Sequence, residues 1–417
     1  MSVVAEEKHA DTRSSSYRWV IISVWMTGHV FGFIVLESLG LLLPSINKEL
    51  HLSPIEVGLL GSAPRIGTMA LAIPAGWLLS RYSPKKLTSV TFAIGTLLIV
   101  FQGWAPFFLL LLLSRFLFGI TLVAREPARA LLMRQWVRPR EVVIVNSFAN
   151  LLWGVTAIGF ALTPVILKLL DDNWRHTLYV FALTSLGLAL LWQVVGKERI
   201  TPEYLAEMRS QEVNPITSIL RYRELWIMGM GLMGIGITWA SFATFWPTYM
   251  LENFDVSVST SANLMAISGG ISAVAGVGVG VLVSRVGKKR LILWLTGILL
   301  AGTQMGMLWT GSYMALVLIF LANGLAWTFF PITMTIPFEL PRIKPRELAV
   351  AVTFMETAIW VGSFIGPLLT GALQQTTGDL RTALMVAFTS ALSMSLAAMM
   401  LPRKWDQVIP ETQPSGA

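Results

Sequence analysis

The sequence predicts an all-α membrane protein of twelve transmembrane helices, arranged as two six-helix pseudo-repeats. Three observations carry this expectation. Only 13% of the 417 residues are charged and 54% are hydrophobic, whereas soluble domains carry roughly 25% charged residues. The apolar residues come in runs of about 20 or more, the length at which a helix crosses some 30 Å of hydrocarbon. One phrase also occurs twice, half a chain apart: GWLLSRYSPKKL from Gly76 to Leu87 and GVLVSRVGKKRL from Gly280 to Leu291.

Taken in order, residues 1–17 form a polar N-terminal tail. The first span, 18–44, is too long for a signal-peptide core and is expected to be retained. The second, 55–80, ends in the first copy of the phrase, and 86–105 and 107–133 follow. The spans 141–168 and 177–196 complete an N-terminal bundle over 18–196. The hydrophilic stretch 197–223 then reads as a central cytoplasmic loop. The second bundle, 224–401, repeats the plan with spans 224–250, 258–284, 290–310, 313–340, 348–373 and 380–401, before a tail at 402–417. The phrase returns after 204 residues, and Pro139–Glu141 returns at Pro345–Glu347 after 206. Two echoes at nearly one offset indicate duplication, an architecture that places a solute site near the midplane between the repeats.

Charge placement orients the chain. With a cytoplasmic N-terminus, 23 of the 31 Lys/Arg fall on inside segments, four (Lys48, Lys168, Arg175, Arg381) outside and four within spans. The positive-inside rule therefore puts both termini in the cytoplasm, in an inner or plasma membrane. The net charge of +8 reflects that topology and attraction to anionic lipid, not nucleic-acid binding. There is no cysteine, so disulfides and thiolate chemistry are excluded. His9, His29, His51 and His176 show no metal-ligand spacing, and no cofactor is implied. GVGVG at 276–280 sits in an apolar span and reads as close helix packing rather than a nucleotide loop. No Walker sequence is present, which argues against a self-contained ATP pump.

The paired loops after spans two and eight carry a family resemblance. Gly76, Arg81 and Lys85 in the first copy, and Gly280, Arg285, Gly287 and Lys288 in the second, resemble the Gly-x3-Asp-Arg-x-Gly-Arg-Lys loop of the major facilitator superfamily. The resemblance implies alternating access between two halves, with these loops as gates. Ser80 and Ser284 stand where that loop has Asp; a serine can cap a helix end but makes no charge-assisted pair. In the fourth span, Arg115 with Gly119 resembles the family's Arg-x-x-x-Gly motif, and Pro127, Trp136 and the following Pro-Arg-Glu resemble organic-anion symporters. Those symporters commonly carry a coupling glutamate where this chain has Leu122. FATFWPTYM, 242–250, resembles the seventh helix of cyanate- and nitrate-type carriers. Gly154, Gly159 and Pro164 only approximate the fifth-helix signature of drug/proton antiporters.

Intramembrane charge marks the candidate site. An ionisable residue at the bilayer centre costs about 2.5–3.5 kcal/mol on insertion scales, so each needs a partner or a water-filled cavity. Arg65, near the middle of the second span, is either an anion contact or a bridge to Glu37, and Arg125 is the second cation considered for the solute. Arg115, Glu37 and Glu356 are candidates for proton coupling. His29 reads as a hydrogen-bonded neutral imidazole or a proton relay. Trp25, Trp153, Trp239, Trp327 and Trp360 lie away from the interfaces where tryptophan concentrates, and some are expected to line the path with Asn323, one turn before Trp327. Ser80, Arg81, Lys85, Ser284, Arg285 and Lys288 complete the gating set with Gly76 and Gly280. The expected molecule is a monomeric secondary transporter of a small anionic organic solute, possibly coupled to protons, and not an enzyme. Two rivals are a proton-coupled exporter of hydrophobic compounds and a transporter-shaped sensor.

Overall fold

The computed structural model describes residues 17–79, 83–136, 156–157, 159–198, 221–340 and 345–402. Eleven of the twelve predicted spans fall on described helices, and the fifth is described in its second half, Gly159–Leu169. Among the described residues, eight helices are long and apolar enough to cross a membrane, and two shorter apolar ones accompany them.

The first span is two helices, Tyr17–Glu37 and Leu39–Leu50, the latter closed by His51 in the left-handed region. The second is Pro54–Leu79 and the third Pro84–Trp104. The fourth bends at Ala124, between Phe108–Val123 and Arg125–Trp136, and the sixth is Trp174–Val195. The second bundle opens with the long helix Arg223–Phe254, closed by the left-handed Asp255, then Val258–Val286 and Lys289–Gly306. The tenth span is Tyr313–Ala326 and Phe329–Thr335, ending in a 3-10 turn at Ile336–Glu339. The eleventh is Pro345–Thr377, and the twelfth is Leu380–Thr389 with Leu392–Met400.

Side-chain oxygens start several of these helices by accepting orphan backbone N–H groups. Ser83 accepts from Lys86, Asn173 from Arg175 and His176, Ser257 from Thr260, and Asp379 from Arg381 and Thr382. Asn173 and Asp379 are 206 residues apart, so the duplication extends to the caps.

The packing repeats as well. Within the first bundle the second span packs on the fourth, the third on the sixth and the first on the sixth; the eighth on tenth, ninth on twelfth and seventh on twelfth reproduce this. Ser38 shares a 3.1 Å hydrogen bond with Thr163, and Thr370 donates to Ser241 at 2.9 Å. Gly159 lies beside Ile34, and Gly366 against the carbonyl of Ile237. These pairs join the first span to the fifth and the seventh to the eleventh. Outward, Leu169, Leu183, Val194 and Val274 are more than two-thirds exposed, a belt that only lipid can cover.

One end of the molecule carries the turns around residues 51–53, 105–107, 170–173, 255–257, 309–312 and 378–379. We call it the low-charge face and the opposite end the basic face. The two bundles meet on the low-charge side of the midplane. There the first span meets the seventh, where a Cβ on Gly40 would strike the carbonyl of Ala243. The second span runs along the eleventh: a Cβ on Gly58 would lie 2.5 Å from the carbonyl of Pro367, and Ser62 donates to the carbonyl of Phe364 at 2.6 Å. Backbones this close tolerate glycine alone.

Candidate functional site

Four charged groups sit in the first bundle, each 2–6% exposed: Glu37, Arg65, Arg115 and Arg125. Burial at this level forces each charge to find compensation. Arg65 Nη2 donates to both oxygens of Glu37, at 2.7 and 2.9 Å, and its Nη1 donates to the carbonyl of Gly61. Of the two roles weighed for Arg65, this conformation displays the bridge. Arg115 donates through Nε to the carbonyl of Leu60 at 3.0 Å and through Nη2 to that of Leu36 at 3.0 Å, with Gln102 Oε1 at 3.4 Å. It lies close enough to Arg65 and Glu37 to interact electrostatically with both.

Arg125 is enclosed between the first and third spans. It donates to the carbonyl of Gly28 at 3.2 Å and of Thr91 at 3.4 Å, and its guanidinium lies 4.5 Å over the ring of Phe92. Among the described residues no carboxylate reaches it, and its Nε has no hydrogen-bond partner. The first bundle thus holds three buried guanidiniums against one carboxylate in this group.

The space between the bundles is aromatic. His29 stacks on Trp25 at 4.8 Å and meets Phe33 edge-on at 5.0 Å, and Phe33 stacks on Trp360 of the eleventh span at 5.9 Å. From the other side, Trp239 of the seventh span meets Phe160 of the fifth at 6.4 Å and Trp327 of the tenth at 5.3 Å. His29, Phe33, Trp239, Trp327 and Trp360 are half-buried at the midplane. Glu356 is half-buried one helical turn from Trp360 and shares its face. Trp25 is buried instead, and its indole donates to Thr88 at 3.3 Å. Asn323 is buried too. Its Oδ1 accepts from Ser268 at 2.9 Å and from the Trp327 indole at 3.3 Å, and its Nδ2 donates to Thr303 at 3.0 Å. Asn323 therefore sets the Trp327 ring rather than facing open space. Trp153 lies outside the described residues.

Among the gating positions, Ser80 and Arg81 lie outside the described residues, and the backbone alone places Gly76, Gly280, Ser284 and Arg285. Lys288 is exposed and left-handed, at φ 53°. The backbone N–H of Lys85 donates to Glu198 Oε1 at 2.9 Å, which also accepts from Ser83 Oγ. In the second copy, Lys289 pairs with Glu339. Glu198 and Glu339, from distant segments, thus contact residues at the ends of the two loops, which sequence reading did not find.

It also missed an arginine clasp on the low-charge face. Arg175 donates to Glu49 at 2.7 Å and to the carbonyls of Gly103 (3.0 Å) and Ala105 (2.7 Å), and lies 4.4 Å over Trp174. The Arg175 guanidinium holds the Glu49 carboxyl below the usual carboxylate range. Arg381, 206 residues on, donates to Tyr249 at 2.7 Å and lies 4.9 Å over Trp309. The first clasp ties its helix to Glu49 and to the end of the third span, and the second ties its helix to the seventh span and to the turn at Trp309. The shared offset was the available signal.

Bundles of membrane-spanning helices around an aromatic centre, with a buried cluster of charge in the first of them, have the architecture of a solute carrier. The model of the Major Facilitator Superfamily matches residues 25–367, and the chain belongs to that family. It is an integral membrane protein and a secondary transporter of a small molecule, not an enzyme. It is 25% identical over 401 residues to the Cupriavidus necator protein named "Probable sulfoacetate transporter SauU", covering 89% of this chain and 90% of that one. It is 20% identical to the Escherichia coli cyanate transport protein CynX, over 89% and 95% of the two chains. A crystal structure of a bacterial homolog to the human lysosomal transporter Spinster, inward-facing and unoccupied, superposes with a TM-score of 0.72 at 16% identity, covering 92% and 95%.

Proposed function

We propose that this protein carries a small organic anion across the inner or plasma membrane by alternating access, with proton coupling. The observation that carries the reading is the excess of buried guanidinium over carboxylate among the described residues of the first bundle. A site bordered by uncompensated positive charge attracts an anion and repels a cation. The sulfoacetate and cyanate carriers among its relatives support the same solute class.

The solute binds at the midplane, with His29, Trp239, Trp327 and Trp360 around it and Asn323 holding Trp327 in place. Glu37 is the first proton carrier. Protonating it removes the partner of Arg65 and frees that guanidinium for an anion, so proton and solute are taken up together. Arg115 tunes Glu37 through its charge, and Glu356 is a second acceptor on the eleventh span. The basic face is cytoplasmic, as are both termini. The bundles are closed against each other on the low-charge face, which in this reading is the side away from the cytoplasm. The loops at 76–85 and 280–288 gate the cytoplasmic side.

The test is uptake into proteoliposomes of sulfoacetate, small carboxylates, cyanate and a lipophilic cation, with and without an inward proton gradient. Saturable anion uptake that rises with the gradient supports the reading. Gradient-driven export of the lipophilic cation, with no anion flux, would replace it by the hydrophobic-exporter reading, which the aromatic centre favours. Solute binding without flux would indicate a sensor.

A further inference from the structure

The first bundle builds a slot for one side chain. A Cβ on Gly32 would lie 2.5 Å from Leu122 Cδ2 and 2.9 Å from Arg125 Nη1, and a Cβ on Gly95 would lie 2.8 Å from Nη2. Two helices thus give up side chains at the one depth where the Arg125 guanidinium passes between them. What it receives there is weak: two carbonyls at 3.2 and 3.4 Å and an aromatic face, with Nε unpartnered. A neutral side chain of similar length would fill such a slot at far lower desolvation cost. The charge itself is what the arrangement retains.

Its position tells what the charge can act on. The carbonyl that Arg125 holds belongs to Gly28, the residue before His29. His29 begins the aromatic row that crosses to Trp360. The guanidinium is thereby enclosed by the first span's backbone, and a solute against the imidazole would sit roughly 9 Å from it, by addition of peptide dimensions.

We propose that Arg125 is a specificity-determining residue that selects anionic solutes through the first span, by its field and without touching them. The inference rests on the anion-carrier reading above and deepens it. At an effective dielectric of about 20, a unit charge roughly 9 Å away changes the affinity of a monoanion about 20-fold. The effect scales with ligand charge, so a dianion gains about 400-fold by the same relation. A direct hydrogen-bond contact has no such scaling.

The experiment measures Kd by calorimetry for the wild type, Arg125→Gln and Arg125→Lys, using sulfoacetate as the dianion and methanesulfonate as the monoanion. The expected result is a loss in Arg125→Gln that is about the square for sulfoacetate of that for methanesulfonate, with Arg125→Lys within about threefold of wild type. Equal losses for both probes, or a loss in Arg125→Lys as large as in Arg125→Gln, would overturn the proposal in favour of contact or packing. Unchanged affinity in Arg125→Gln would overturn it outright. Should Arg125→Gln not fold, Arg125→Met takes its place in the same comparison, and the ratio of the two losses decides. Wild type that binds neither probe overturns the anion reading first and this inference with it, whereas wild-type binding with an indifferent Arg125→Gln removes the inference only.

Discussion

The pairing of Arg65 with Glu37 is best tested by a double-mutant cycle of Arg65→Gln, Glu37→Gln and both together. The guanidinium donates to both carboxylate oxygens, which puts the charge centres roughly 4 Å apart. At an effective dielectric of about 20, that separation corresponds to about 4 kcal/mol. Breaking a buried pair from one side typically costs about 3–5 kcal/mol, because it leaves the other charge uncompensated. The two single losses should differ. Glu37→Gln strips the carboxylate from two neighbouring guanidiniums, Arg65 and Arg115, whereas Arg65→Gln leaves Glu37 still facing Arg115. Glu37→Gln is therefore the more destabilising substitution. The double variant recovers part of the loss, with a coupling energy of about 3 kcal/mol. Denaturant unfolding in detergent, followed through the 16 tryptophans, reads all four corners. Additivity within about 0.5 kcal/mol would refute the bridge. Normal stability in Arg65→Gln with abolished solute binding would instead assign Arg65 to the solute.

Three further outcomes follow from the geometry. Gly40→Leu forces apart the first and seventh spans at the low-charge face. In this cysteine-free chain, a single cysteine at Phe33 should then react several-fold faster with an impermeant maleimide from that side; unchanged reactivity would mean the contact does not close the path. Asn323→Leu leaves Ser268, Thr303 and the Trp327 indole short of their partner and should cost about 1–3 kcal/mol in unfolding measurements. The clasp is pH-dependent at its acid end. The Glu49 carboxyl is held low by Arg175, so its contribution is full above the unfolded value of about 4.3 and is lost as pH falls through the lower folded value. With Glu49 half-exposed that contribution is under about 1 kcal/mol. The melting temperatures of wild type and Glu49→Gln should differ at pH 6 and converge well below pH 4.

The fold was legible because lipid imposes a simple code: apolar runs of spanning length, and basic residues on one side of them. Helix starts at Asn173 and Asp379, whose side chains accept backbone N–H groups at one repeat offset, emerged only from the structure. The pairing of buried charges was legible only as one of two alternatives for Arg65. Arg65 and Glu37 are 28 residues apart on different spans, and which faces meet depends on rotations that hydropathy does not encode. Nor did the sequence distinguish Trp360, at the bundle boundary, from Trp25, which is buried against the third span. Both read as central tryptophans. Arg175 and Arg381 were seen only as two positive charges on the sparse side, because their work is done on carbonyls and rings contributed by distant turns.

The clasps bear on how this molecule can change over generations. Among the described residues Arg175 and Arg381 bind within their own bundles, whereas the boundary between bundles combines backbone against glycine with aromatic contacts. Each bundle is therefore braced within itself, and the surface between the two depends on a few glycines and on aromatic contacts such as Phe33 with Trp360 and Phe160 with Trp239. Exchanging one bundle for that of a relative with the same boundary glycines and aromatics would keep the fit while replacing half of the solute site. Solute preference can thus drift in one half without disturbing the joint on which the transport cycle turns.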